Sequence, residues 1–575
     1  MKPSRLLYIA LASFILFSCG DDKKTKTDDK ETKDKTTTNT TNVVDFAVSD
    51  AYQTLDPIEI IDVNSFQVQS QIFEGLLRFD ENDLSLKPVL AKFWEVDAAG
   101  LVYTFHLNKG VYFHDNACFD GGKGKEMTAK DVVFTFKRIC TEQENNYAFS
   151  LFNEVIAGVK ELNSGSATEI SGVKAIDDYT VQFTLSQTTS SFLQLLATPF
   201  SAIVCEEAIS AGAVVGTGPF VYDKSLDTEN SITLTKNNNY HLKDNGNQLP
   251  YVAGVKYNYI VDGRERLAAF KEGKIDILEN IPVEEINNLV QENISAFQNK
   301  PAQYVLARNK ELAITYLNFN TAVAPFNNVK LRKAFALAID KNKIVDRVLK
   351  GEAYGPAING IVPPAVKDYD YSSIIGIEFD VAKAKKTLAD AGYGPNKTFP
   401  KLEIVSSKES VSVRVALEIQ KQLKSNLNIN AEVTSMSLSE MLKYKSSSNA
   451  SIVVSSWLAE FPDPLNFLSI LYGGYVSNDL NKSSYPNDAR YKNVAFDKAY
   501  KEAMETTDET RKMELCLEAD QIAANEVPII PLWYYERYQL IQSEVKNYMP
   551  NAMRIHYLPY VKLEKPQATT KIETH

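Results

Sequence analysis

The stretch from Ser456 to Phe467 reads Ser-Trp-Leu-Ala-Glu-Phe-Pro-Asp-Pro-Leu-Asn-Phe and sets Glu460 and Asp463 among Trp457, Phe461, Pro462 and Pro464. Proline fixes its own φ and is excluded from helix interiors, so both acids sit on a constrained loop beside large apolar surfaces. A carboxylate in such a place can receive a cation such as an amine. The same residues also describe a turn whose Trp packs into the core and whose acids face water. Bond-making chemistry has less to stand on. There is no Gly-x-Ser-x-Gly elbow and no His-Glu-x-x-His helix, and the five histidines are scattered at 106, 114, 241, 556 and 575. The run Gly121-Gly-Lys-Gly-Lys125 has a phosphate-loop flavour, but Glu126 stands where Ser or Thr is required. Cys118, Cys140, Cys205 and Cys516 match no metal spacing; three disulfide pairings are open, and buried free thiols are the default.

The elements around these residues begin with an unusual amino-terminal end. Lys2 and Arg5 precede an apolar run from Leu6 to Phe17, and Ser18-Cys19 follows at once. The run is shorter than the ~18–20 residues that span a bilayer, and so reads as a secretory signal. A small residue before Cys predicts lipoprotein cleavage with Cys19 as the lipidated first residue. An ordinary signal peptide with an incidental Cys is the alternative. From Asp21 to Asn42 there is no apolar residue, which predicts a disordered tether over 20–42 averaging roughly 25 Å end to end. The chain as a whole is 44% hydrophobic, with a formal net charge of −11 and no basic block. It is large enough for two or more lobes, and its charge argues against nucleic acid.

Periodicity predicts a mixed α/β chain. Strands are expected over Val43–Val48, Leu101–Leu107 and Thr180–Leu185, with a hairpin from Leu107 through Lys109-Gly110 into Val111–His114. Helices are expected from Ser65 to Leu77, after the Thr128/Asp131 capping box, and over Asn328–Asp340 and Val381–Ala391. Leu402–Val405, Ser412–Leu427 and Ile429–Val433 form a strand–helix–strand crossover with parallel strands. Ala495–Glu505 and Thr510–Asn525 pair as helices before a strand over Pro528–Tyr535.

Several phrases then fall in the order of one family: Leu55-Asp-Pro57, Gln71-Ile-Phe-Glu-Gly-Leu-Leu77, Tyr103 to Asp115, Thr128 to Phe136, Gly216-Thr-Gly-Pro-Phe220, Tyr316-Leu-Asn-Phe-Asn320, Pro325 to Arg332 and Ala338-Ile-Asp340. Together they resemble the extracytoplasmic oligopeptide/dipeptide-binding proteins, the solute-binding subunits of ABC importers. The resemblance implies a two-lobed periplasmic-binding-protein-like clamp with an extra α/β domain inserted in the first lobe. The first lobe would comprise 43–82, 187–311 and 531–575, the extra domain 83–186, and the second lobe 312–530. The chain would cross between lobes near Ile314–Leu317 and near Val527–Pro531.

The resemblance also implies the site. Glu460 matches the acid that holds a peptide's α-ammonium after Trp457, where the family more often has Asp. Asp463 matches a structural Asp-Pro turn. Asp62, Val63 and Asn64 match the first-lobe edge that pairs with the peptide backbone. No basic residue matches a carboxylate-binding position. The expected protein is a monomer that catalyses nothing and takes no cofactor. It would bind short peptides in the periplasm or cell envelope, deliver them to an ABC permease, and sit on a membrane through its lipid anchor. The same fold binding an oligosaccharide or metal chelate, or serving as a surface receptor, stays open.

Overall fold

The computed structural model describes residues 42–564 apart from 283, 287, 292–302, 351–352, 395–396, 398 and 446–451; Cys19 and the tether up to residue 41 lie outside the described residues. One eleven-stranded sheet organises the chain. In chain order its strands are β1 (Val43–Val48), β2 (Phe220–Tyr222), β3 (Ser231–Lys236), β4 (Gly254–Tyr259), β5 (Ile277–Leu278), β6 (Tyr304–Phe319), β7 (Ala353–Pro356), β8 (Leu402–Ser407), β9 (Ala431–Met436), β10 (Ile452–Leu458) and β11 (Ile529–Gln542). They lie side by side as β9-β8-β10-β6-β11-β5-β1-β4-β3-β2, with β7 also paired to β11.

Two long strands hold this sheet together. Residues Tyr304–Lys310 of β6 face Glu536–Gln542 of β11, and Ile314–Asn318 face Ile529–Tyr534, with a register break between Lys310 and Ile314. On one side of the break lie β5, β1, β4, β3 and β2; on the other, β10, β8 and β9. The strand expected over Pro528–Tyr535 therefore runs on to Gln542, and the break falls a few residues before the crossing expected at Ile314.

The helices follow from caps and apolar stripes. Those used below are α1 (Val63–Ile72), α2 (Ala129–Ile139), α3 (Val329–Ala338), α4 (Val381–Asp390), α5 (Ser410–Leu427), α6 (Pro464–Leu468), α7 (Val494–Glu505) and α8 (Glu509–Glu526). Thr128 and Asp131 form the expected capping box at α2, and Asn328 caps α3 by accepting from the Lys330 N–H. Val415, Ala416, Ile419 and Leu423 of α5 are buried with Ile404 of β8 and Ile452 of β10. That stripe is why β8 and β9 are parallel, in the register Leu402↔Ala431: a helix lying back across the sheet returns the chain in the same direction.

A separate antiparallel sheet orders Ala91–Val96, Val102–Leu107, Thr180–Thr184 and Val173–Asp177. Helix α2 covers it, with Phe136 edge-on to Phe183 at 4.8 Å. Here one expectation fails. Val111–His114 does not fold back on the 102–107 strand. The Phe113 N–H instead donates to Lys125 O and the Met127 N–H to Val111 O. Both edges of the 102–107 strand are already taken, by 91–96 and by 180–184, leaving no donors or acceptors for a hairpin partner.

Candidate functional site: an unpaired carboxylate beside Trp457

Strand β10 lies against β6 in the register Ala313↔Leu458, Ile314↔Trp457 and Thr315↔Ser456. The Ala459 N–H extends the ladder by one bond to Leu312 O, at 2.9 Å. The loop carrying Glu460 thus leaves the sheet opposite the register break of β6 and β11. Proline then acts as expected, with one adjustment: Pro464 does not exclude a helix but opens one, at the first position of α6. A first-turn residue needs no N–H partner, so the ring costs nothing there.

The two acids of the loop have different fates. Asp463 is buried, caps α6 through the Leu465 N–H at 2.9 Å, and pairs with Lys512 Nζ of α8 at 2.9 Å. It is structural, as its match to the Asp-Pro turn implied. Among the described residues Glu460 has no such ion-pair partner. Its Oε2 is buried and accepts no hydrogen bond from the described residues. Burial pushes its pKa up to about 7, against the Asn466 side chain, which favours the charged form. An acid lifted into the neutral range by desolvation alone binds a cation that brings its own charge.

The walls are aromatic. Trp457 donates from Nε1 to Asn466 Oδ1 at 2.8 Å and lies 6.0 Å from the Tyr485 ring. Tyr485 is 46% exposed as a residue, while desolvation around its hydroxyl and then the negative charge of Glu460 push that hydroxyl well above its ordinary value; Tyr147 is also within its electrostatic reach. Tyr147 comes from the part of the chain that carries α2, and its N–H donates to Ile58 O at 2.8 Å. On the other face of β10, Ser456 Oγ and Tyr535 OH both meet Thr315 Oγ1 at 2.8 Å.

The structure changes how Asp62, Val63 and Asn64 are read. They are not an extended edge. Asp62 is the N-cap of α1 and accepts from the Ser65 N–H at 2.8 Å and Ser65 Oγ at 2.6 Å. Its carbonyl accepts from the Phe66 N–H, and Asn64 Nδ2 donates to Asp50 O. An Asp followed three residues later by a Ser that can answer it caps a helix more favourably than it extends a strand. Among the described residues, no hydrogen bond or ion pair joins this segment to the Glu460 loop.

Sequence reasoning missed a buried ionic network at the register break. Glu311, in the break itself, takes Arg537 Nε at 2.7 Å and Arg554 Nε at 2.8 Å. Glu279 takes His556 Nε2 at 3.1 Å, Arg537 Nη1 at 3.2 Å and Gln67 Nε2 of α1 at 3.1 Å. Burial would raise both acids, but the facing cations outweigh it and hold both below the ordinary carboxylate range. The hydrogen-bonded partners lie between 212 and 277 positions apart in sequence, and nothing local signals their meeting.

Residues 85–479 match the model of the bacterial extracellular solute-binding proteins, family 5 (middle region). The chain belongs to this family. It is 27% identical to heme-binding protein A of Haemophilus influenzae over 96% of this chain and 97% of the relative. It is 27% identical to the periplasmic oligopeptide-binding protein OppA of Escherichia coli K12 over 86% and 88%. Among solved structures, the periplasmic binding protein DppA of Helicobacter pylori in complex with the peptide STSA superimposes with a TM-score of 0.74 at 27% identity, covering 91% of this chain and 98% of that one. This solute-binding protein thus has the two-lobed family 5 fold and is no enzyme. Among the described residues no helix is long and apolar enough to cross a membrane.

Proposed function

We propose that this solute-binding protein captures short peptides between its lobes by their amino-terminal ammonium and delivers them to an ABC permease. The observation that carries this reading is Glu460: a carboxylate with one oxygen buried and unpartnered, walled by Trp457 and Tyr485. A ligand ammonium would supply the missing partner, and leaving either charge unpaired in such a site is costly. The names of OppA and of the STSA complex support peptides as the class.

On this reading the clamp has its first lobe over 43–82, 187–311 and 531–575, the extra domain over 83–186 and the second lobe over 312–530. The paired strands β6 and β11 are the only long elements that serve both lobes' sheets among the described residues, so their register break is the natural hinge. Asp62, Val63 and Asn64 remain in this proposal as part of the first-lobe wall, now presenting a capped helix start. Native mass spectrometry of the purified chain, followed by denaturation, tests the reading. A ladder of masses resolving into short peptides is expected; a single non-peptide mass would replace the ligand class while keeping the fold.

The protein is further proposed to act as a monomer, anchored outside the cytoplasm through an acylated Cys19, on the strength of the Ser18-Cys19 junction after a short apolar run. Cys19→Ala is expected to move the protein from the membrane fraction to the soluble one. Retention of the variant wholly in membranes would rule the anchor out.

A further inference from the structure

Lys341 is a buried cation without a counter-charge. It is 7% exposed, and its Nζ donates to Ala357 O at 2.8 Å. An ammonium has three N–H donors; among the described residues the other two meet no acceptor, and no carboxylate pairs with them. Burial with nothing to offset it pulls the pKa down to about 7. Lys341 lines a hollow of about 30 Å³. Small residues leave this space: Ala336 of α3, Ala523 of α8, and Gly360 and Gly376 in the chain that follows β7. A Cβ on Gly360 would fall 2.5 Å from Asp520 Oδ2, and one on Gly376 would fall 1.9 Å from Ile358 O, so neither position can carry a side chain.

The charged groups around the hollow are engaged elsewhere. Asp520, behind Gly360, takes the Tyr369 hydroxyl at 2.9 Å and the Ile361 and Val362 N–H groups at 3.0 and 3.5 Å, and burial raises its pKa to about 6. Asp340 accepts from the Lys343 N–H, and Lys343 Nζ pairs with Glu418. Arg332 of α3 spends its guanidinium on the carbonyls of Phe326, Glu526 and Val527. Lys341 is the one charged residue that lines the hollow, and none of the lining residues belongs to the Glu460 loop.

A hollow of this size admits one or two water-sized particles, which suits a monatomic anion and is too little for sulfate or phosphate. A buried charge left unpaired is costly, and an anion small enough to enter removes that cost. We infer that the hollow is a chloride site, the halide lying beside Lys341 Nζ and taking one of its free N–H donors. The Gly376 and Ile377 amides also line the hollow and donate to nothing among the described residues, so they are available to the same ion. Ile529 and Ile530 of β11 line it as well. An ion there ties α3, α8 and the start of β11 together.

Thermal unfolding of the whole chain in sodium chloride and in sodium gluconate, at equal ionic strength and about pH 6, tests the site. At about a hundredfold excess over its dissociation constant, chloride is expected to raise the melting temperature by about 2 °C over gluconate. In Lys341→Met the difference between the two salts should vanish. Because the ammonium attracts the halide and the neutral amine does not, affinity should weaken by up to about tenfold per pH unit as pH rises above about 7. Anomalous diffraction from crystals of the parent protein grown in bromide needs no variant, and a peak beside Lys341 Nζ is expected. An equal response to both salts, a chloride response that persists in Lys341→Met, or bromide crystals without a peak at Lys341 would each overturn the site.

Discussion

Glu460→Gln should weaken binding of an amine-bearing peptide by roughly a hundred- to several-thousandfold and at the same time make the empty protein more resistant to heat at neutral pH. The first effect follows from a buried ammonium facing a neutral amide; breaking such a pair costs about 3–5 kcal/mol. The second follows from the empty site. With its folded pKa at about 7, above the ordinary value of 4.5, Glu460 holds its proton more tightly folded than unfolded. Its contribution to stability is therefore greatest below about pH 4.5 and declines as pH rises to about 7. Gln removes that decline, so the melting curves of the two proteins should separate with rising pH.

The same pKa gives binding a sign. An ammonium arriving at Glu460 favours the carboxylate, so below about pH 7 each bound peptide should expel a proton. Affinity should then rise from about pH 5.5 toward neutrality, and fall again where the peptide's own amine loses its proton, at about 8. Calorimetry in two buffers of different ionisation enthalpy measures the released proton. Unchanged affinity in Glu460→Gln, or binding without proton release at about pH 6, would remove Glu460 from the ligand's amine.

Glu311→Ala should cost about 3–5 kcal/mol of folding stability by leaving the buried Arg537 and the half-buried Arg554 without their shared carboxylate. Equilibrium denaturation measures it. The pH dependence is opposite to that of Glu460. Burial raises Glu311, but Arg554 and Arg537 more than reverse the effect and hold it below 4.5. Its stabilisation is then fully present above about pH 4.5 and is lost as pH falls toward its folded pKa. The gap between the parent protein and Glu311→Gln should accordingly be widest near neutrality and narrow on acidification. A gap that is absent at about pH 7, or that holds constant down to about pH 3, would mean that the carboxylate contributes little as a charge. Because Glu311 sits in the register break of β6, ligand affinity measured on the same variant reports whether the break acts as the hinge.

Much of the fold was legible in the chain because its signals are local. Val43–Val48, the Thr128/Asp131 box and the apolar stripe of α5 state their own structure through periodicity and capping, and the order of the family phrases points to the clamp. Trp457, Glu460 and Asp463 were legible as well, because a Pro-bounded loop confines neighbours in sequence to neighbours in space. What the chain alone could not divide was the labour of the two acids. Only the arrival of Lys512 from α8 makes Asp463 structural, and only the absence of any such arrival from the described residues at Glu460 Oε2 leaves that oxygen buried and unpartnered.

The hairpin expected at Val111–His114 failed for a related reason: strand pairing is a competition, and strands from distant segments had already taken both edges. Asp62–Asn64 became a helix start because a cap satisfied within three residues outweighs an edge that needs a partner. The Glu279–Glu311–Arg537–Arg554 network lies furthest beyond sequence reading. It gathers charges from segments far apart, and the Coulomb energy that gives it meaning depends on distances and burial that exist only once the sheet has brought β5, β6 and β11 together.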